Sequence, residues 1–83
     1  MTQVQVQFDS DVFSALRKSP DEVAADIRMA AAIVWYARGA ISQGKAAELA
    51  GLSRSAFIDA LAQSGVAVEQ ETLHEIREVL DRG

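Results

Sequence analysis

Residues 42–61, SQGKAAELAGLSRSAFIDAL, constrain the fold more than any other stretch of this chain. Ala46, Ala47, Leu49 and Ala50 recur at helical spacing, and Phe57, Ala60 and Leu61 do the same further on. Between them, Ala50-Gly51-Leu52 reads as a tight turn. Gly51 can take the left-handed conformation without a Cβ penalty, Leu52 drops into the angle between the helices, and Ser53 caps the second one. Ala47, four residues before the glycine, permits the close backbone approach that a steep crossing requires. The pattern is that of a helix-turn-helix.

The rest of the chain extends this to a mainly α fold. The expectation is one small helix-turn-helix domain over 1–83, motif 42–62, with a short N-terminal strand and a short strand after the recognition helix. Residues 3–8, QVQVQF, alternate strictly, placing Val4, Val6 and Phe8 on one side and glutamines, Gln5 among them, on the other. A lone strand needs a neighbour. Either it pairs with Val66-Ala67-Val68, the reading favoured here because it would pin the exit of the recognition helix, or it pairs with its copy in a second chain. Asp9 to Lys18 predicts a short helix presenting Val12, Phe13 and Leu16.

Ser19-Pro20-Asp21-Glu22 combines an N-cap serine, a proline at the first helical position and a glutamate at the third, a capping box. The helix it opens runs to about Arg38 and stops at Gly39. Val23, Ile27, Ala30, Val34 and Ala37 form one apolar stripe on it, and Met29, Ala32, Ile33 and Tyr36 make the opposite side apolar too. A helix apolar all round is covered all round. The favoured second cover is another chain, a homodimer with Met29, Ile33 and Tyr36 at its interface. The alternative is the terminal helix, Glu71 to Asp81, with Leu73, Ile76, Val79 and Leu80 facing inward.

Composition narrows the function classes. At 83 residues, 49% hydrophobic and 24% charged, the chain is long enough for one small core. It has no cysteine and a single histidine, His74, so a disulfide framework and a thiolate zinc site are excluded. Asp9 with Asp11, and Asp21 with Glu22, read as helix caps and first-turn acids rather than metal ligands. Trp35 and Tyr36 read as core rather than a base-stacking pair, and His74 as a solvated flank. Gly39 and Gly44 read as helix ends, not a phosphate loop. No catalytic set of side chains is visible, so the chain reads as no enzyme, with no cofactor and no metal.

The N-terminus lacks the basic and apolar regions of a signal peptide. The longest apolar run, Met29–Ala37, is nine residues, against the roughly 20 of a membrane span. A cytoplasmic protein with no membrane partner is expected.

Net charge is −4 and the pI about 4.7, which runs against general nucleic-acid binding. The charge is uneven, however. Residues 38–54 hold Arg38, Lys45 and Arg54 against Glu48, a net of +2, while 69–83 hold five acids against Arg77 and Arg82, a net of −3. The positive island coincides with the motif. If the second helix enters a major groove, Arg54 is placed for a guanine edge, Ser53 and Ser55 for phosphates or bases, and Lys45 and Arg38 for phosphates. The helix starting near Ser42 would offer backbone N–H groups to another phosphate. The outward face of the recognition helix is sparse: Ser55, Asp59 and Ala62, flanked by Ala56 and Gln63. The same helices used only for protein contact remain the alternative. The acids of the terminal helix, Glu71, Glu75, Glu78 and Asp81, are either a solvated face or a surface for a basic partner.

Tyr36-Ala37-Arg38-Gly39, Ile41 through Arg54, then Phe57, Leu61 and Gly65-Val66, resemble a small prokaryotic family of uncharacterised helix-turn-helix proteins described as antitoxin-like. Its members are often found beside toxins of the PIN-domain ribonuclease type. The resemblance covers residues 20–80 and is most specific over 36–66. Where such proteins often carry Leu-Pro after the first strand, this chain has Phe8-Asp9-Ser10. The resemblance implies DNA binding, autoregulation of transcription, or neutralisation of a toxin partner.

Overall fold

Five helices account for nearly all the regular structure in the computed structural model, which describes residues 2–68 and 70–81. They are α1 (Ser10–Leu16), α2 (Pro20–Ala37), α3 (Gln43–Ala50), α4 (Arg54–Ser64) and α5 (Gln70–Asp81).

Local chemistry sets most of the boundaries. Ser19 opens α2: its hydroxyl accepts from the Glu22 N–H at 3.3 Å, while the Glu22 carboxylate accepts from the Ser19 N–H at 3.1 Å. The expected capping box is complete. Ser42 and Ser53 likewise cap α3 and α4, accepting from the N–H groups of Lys45 and Ala56. α3 ends at Gly51, with φ 73° and ψ 30°. There the Gly51 N–H donates to the Glu48 carbonyl and the Leu52 N–H to the Ala47 carbonyl, at 3.1 and 2.9 Å. These two bonds satisfy carbonyls that the helix end would leave without partners. A three-residue turn, 51–53, then leads into α4.

α2 packs on α3, and α3 on α4. Their shared core is Ala32, Ile33, Tyr36 and Ala37 of α2, Ala46 and Ala47 of α3, and Phe57 and Leu61 of α4, with Ile76 of α5. Small residues line α2 and α3 where they meet, so the helices approach closely and the large rings of Tyr36 and Phe57 fill the space below. Those rings meet edge-on, 5.6 Å apart at 70°, a favoured aromatic geometry.

Two expectations are corrected. Among the described residues there is no strand: residues 2–9 carry no secondary structure and are exposed throughout, and 65–68 carry none either. Alternation marks which side chains share a face, but a strand exists only where its backbone groups find a partner. Residues 3–8 and 66–68 do not pair. Val68 instead packs against the core, and Phe8 turns to Phe13 of α1, with ring centroids 6.5 Å apart.

The inner face of α2 is only partly the one expected, since Val23 and Ala37 of the first stripe are buried. The Ala32, Ile33 and Tyr36 side is core, whereas Ile27 and Ala30 of the first stripe are exposed. Of the expected dimer contacts, Tyr36 is 1% exposed and Ile33 6%, both enclosed within the chain, and Met29 packs against the same cluster. Ile76 joins that cluster, so the terminal helix supplies part of the cover. The side chains of Val79, Leu80, Glu71 and Glu75 lie outside the described residues. Among those residues, no helix is long and apolar enough to cross a membrane.

α1 is tied on at its end. Its last turn closes on Arg17, which adopts a left-handed φ of 57°, and Lys18 forms an ion pair with Asp26 of α2.

Candidate nucleic-acid interface

The first turn of α3 gathers three of the expected site residues, Ser42, Lys45 and the guanidinium of Arg54. The Ser42 hydroxyl accepts from the Lys45 N–H at 3.1 Å and so caps the helix. Arg54, the first residue of α4, folds back toward this turn. A Cβ placed on Gly44 would lie 2.9 Å from its Nη2 atom. The guanidinium therefore rests on the α3 backbone, one residue from Lys45.

Lys45 is not a free cation in this arrangement. Its Nζ lies 3.2 Å from a Glu48 carboxylate oxygen, and both side chains are largely exposed. Such pairs contribute little to stability and are readily exchanged for another anion. Arg38 is exposed at the C-terminal end of α2, just before the segment that leads into Ser42.

At the start of α4 the Ser53 hydroxyl accepts from the Ala56 N–H at 3.2 Å and lies 3.4 Å from the Ser55 hydroxyl. The two serines are thus neighbours at the helix start. Along α4, Ser55, Asp59, Ala62 and Gln63 are exposed, while Phe57 and Leu61 point inward, as the periodicity predicts. That outward face carries one acid and no base.

Two residues with a part in this site escaped the sequence reading. Gln43 is 3% exposed, and its Nε2 donates to Tyr36 Oη at 3.3 Å. A signal was present: Gln43 falls on the Ala46, Ala47 and Ala50 side of α3, a polar residue in an apolar stripe. Gly44 is the other. It lies in the first turn of α3, near the helix start as expected, in backbone that needs no glycine.

The far end of α3 has a different character. A cleft of about 320 Å³ opens there between α2 and α3, lined by Asp21, Arg28 and Glu48 with Leu49 and small residues up to Gly51. Glu48 borders both this cleft and the Lys45 ion pair, so its charge is shared between the two ends. On α5, His74 is exposed and 3.1 Å from a Glu78 carboxylate oxygen, on a solvated flank as expected.

A family model for an uncharacterised protein family, UPF0175, matches residues 1–82. The chain belongs to this family. The match takes in residues 1–19, which lie outside the 20–80 stretch carrying the resemblance in sequence, so the segment before α2 is shared by the UPF0175 pattern. No match was found among curated proteins or among solved structures.

Proposed function

We propose that this UPF0175 protein is a non-catalytic DNA-binding regulator of the antitoxin-like kind, one helix-turn-helix domain contacting operator DNA through residues 42–62. The observation carrying this reading is the convergence of Arg54, Lys45 and the Ser42 cap on the first turn of α3. In a chain of net charge −4, these cations are focused where the two helices of the motif meet. Helix-turn-helix readers place the start of the second helix in the major groove and the first helix across the backbone. In that docking the α3 turn faces a phosphate, and Ser53 and Ser55 face the groove.

The outer face of α4 is too poor in hydrogen-bonding side chains for one copy to hold DNA tightly. We therefore place the protein on DNA as a homodimer spanning two half-sites. With Ile33 and Tyr36 enclosed, the face of α2 left for a second copy carries Ile27 and Trp35, 40% and 48% exposed. A basic toxin partner, of the ribonuclease type that the resemblance implies, would meet the acids of α5, where Glu78 and Asp81 are exposed. The cytoplasm is the compartment in which both roles make sense.

A second reading is favoured by the Lys45–Glu48 pair and by Asp59 on the outward face of α4, which oppose phosphate approach. In that reading the same helices bind only protein. The two separate in a fluorescence-anisotropy titration against DNA from upstream of the protein's own gene, beside scrambled DNA, at low and physiological salt. Binding that prefers the upstream DNA and weakens with salt supports the regulator. Salt-insensitive or absent binding supports the protein-only module.

A further inference from the structure

Gly44 occupies the second position of α3, half-buried, in ordinary helical backbone without a positive φ. Nothing in that conformation calls for glycine, and helix propensity favours alanine there. What glycine provides is room. A Cβ at Gly44 would stand 2.9 Å from Arg54 Nη2, 3.6 Å from Cζ and 3.7 Å from Nε. All three atoms belong to the guanidinium end of one flexible side chain. An alanine at 44 is thus accommodated by moving that guanidinium, with the helices left in place.

The consequence reaches the DNA-binding reading, on which this inference rests. From the first position of α4, an arginine extended along its own helix would reach base edges in the groove. Folded back on Gly44, the same guanidinium lies beside Lys45, at the edge of the motif that faces the DNA backbone. We infer that Gly44 is a positioning residue for Arg54, holding it as a clamp on a DNA phosphate instead of a reader of a base.

A phosphate clamp and a base reader differ in what their loss does. Loss of a phosphate contact weakens binding to all sequences alike and flattens the salt dependence, whereas loss of a base contact relaxes preference at one position. The test titrates the wild type, Gly44→Ala, Arg54→Ala and the double variant against upstream and scrambled duplexes over a salt series, with thermal unfolding of each. Gly44→Ser supplies a second variant bearing a Cβ.

The Gly44 variants are expected to fold, with Gly44→Ala unfolding at or above the wild-type temperature. Each single variant should flatten the slope of log K against log salt by about 0.9, the value for one phosphate on duplex DNA, on both duplexes. The double variant should flatten it no further. In the free protein, the Arg54 Nε–Hε NMR resonance should move in Gly44→Ala. An unmoved resonance, a wild-type slope in both Gly44 variants, or a double variant that loses two contacts overturns the inference. So does an Arg54→Ala that keeps the slope but loses the preference for upstream DNA. A wild type that binds neither duplex removes the DNA reading and this inference with it. That outcome is distinct from a wild type that binds and a Gly44→Ala that binds equally well.

Discussion

The side-chain amide of Gln43 donates to the phenol oxygen of Tyr36 at 3.3 Å, inside the core and at the junction of α2 with α3. The same phenol ring meets Phe57 of α4 edge-on. Tyr36 therefore touches both helices of the motif. Tyr36→Phe keeps the ring and removes the acceptor, leaving a buried amide without that partner. Such groups cost about 1–3 kcal/mol. At 3.3 Å the bond is long, which places the expected loss toward the lower end. Urea unfolding of the variant measures it, and a midpoint unchanged from wild type would mean the bond contributes nothing.

Phe57 is fully buried between α2 and α3. Phe57→Ala removes a whole ring and leaves a cavity, at about 3–5 kcal/mol. A domain of this length has roughly 4–12 kcal/mol in total, so the alanine variant is expected to lose a large share of its stability and to melt well below the wild type. Phe57→Leu should remain folded with a lower Tm. Circular dichroism on heating distinguishes them, and an alanine variant as stable as wild type would remove Phe57 from the core it is assigned to.

Gly51 and Arg17 test the same backbone conformation in opposite directions. Both close a helix at positive φ, 73° and 57°, and around Gly51 an added Cβ would meet open space. Any cost of Gly51→Ala is therefore conformational, about 1–2 kcal/mol. Arg17→Gly relieves the same strain and is expected to stabilise by about 0.5–1 kcal/mol, less than the full αL penalty because glycine gains freedom in the unfolded chain. Paired denaturation curves read both signs, and a stabilised Gly51→Ala would contradict the turn.

Lys18 provides a pH test. Its hydrogen bond to the Asp26 carboxylate, helped by the charges of Asp26 and Glu22, raises the ammonium above its ordinary 10.5. A raised folded value means that the pair's stabilisation is complete below 10.5 and is lost as the pH climbs through the higher folded value. Both side chains are substantially exposed, so the effect is small. The Tm difference between wild type and Asp26→Asn should be constant from pH 7 to about 9.5 and shrink above 10.5. A difference that grows with rising pH would contradict the assignment.

The ends of elements were written into the sequence, while the choice between faces was not. Ser19 with Glu22 and Gly51 with Ser53 act through bonds to backbone only a few residues away, so their residue types identify them. α2 is apolar on two sides, and periodicity alone cannot choose between Ile27 and Ile33. That choice comes from distant residues, since Phe57 and Leu61 fill the space against Ile33 and Tyr36. The alternation of residues 3–8 describes a face without supplying a partner, which is why the expected strand is absent. For the site, the charge island was legible in Arg38, Lys45 and Arg54. The fold-back of Arg54 onto Gly44 was not, because it joins two positions ten residues apart through the turn.

Trp35 reports on self-association. It is the only tryptophan and is 48% exposed on the outer face of α2. In a dimer joined through Ile27 and Trp35, its fluorescence should shift to the blue with increasing protein concentration, and Trp35→Arg should sediment as a monomer. A concentration-independent spectrum from a protein that sediments as a dimer would move the interface elsewhere.

The central claim is that DNA lies against the first turn of α3 and the start of α4. Titrating unlabelled upstream duplex into ¹⁵N-labelled protein and following the amide resonances tests it most directly. The account predicts the largest shifts at 42–45 and 53–56, moving back as salt is added, with α5 little affected. Shifts confined to α5 or to the N-terminal segment, or a spectrum unchanged at low salt, would contradict it.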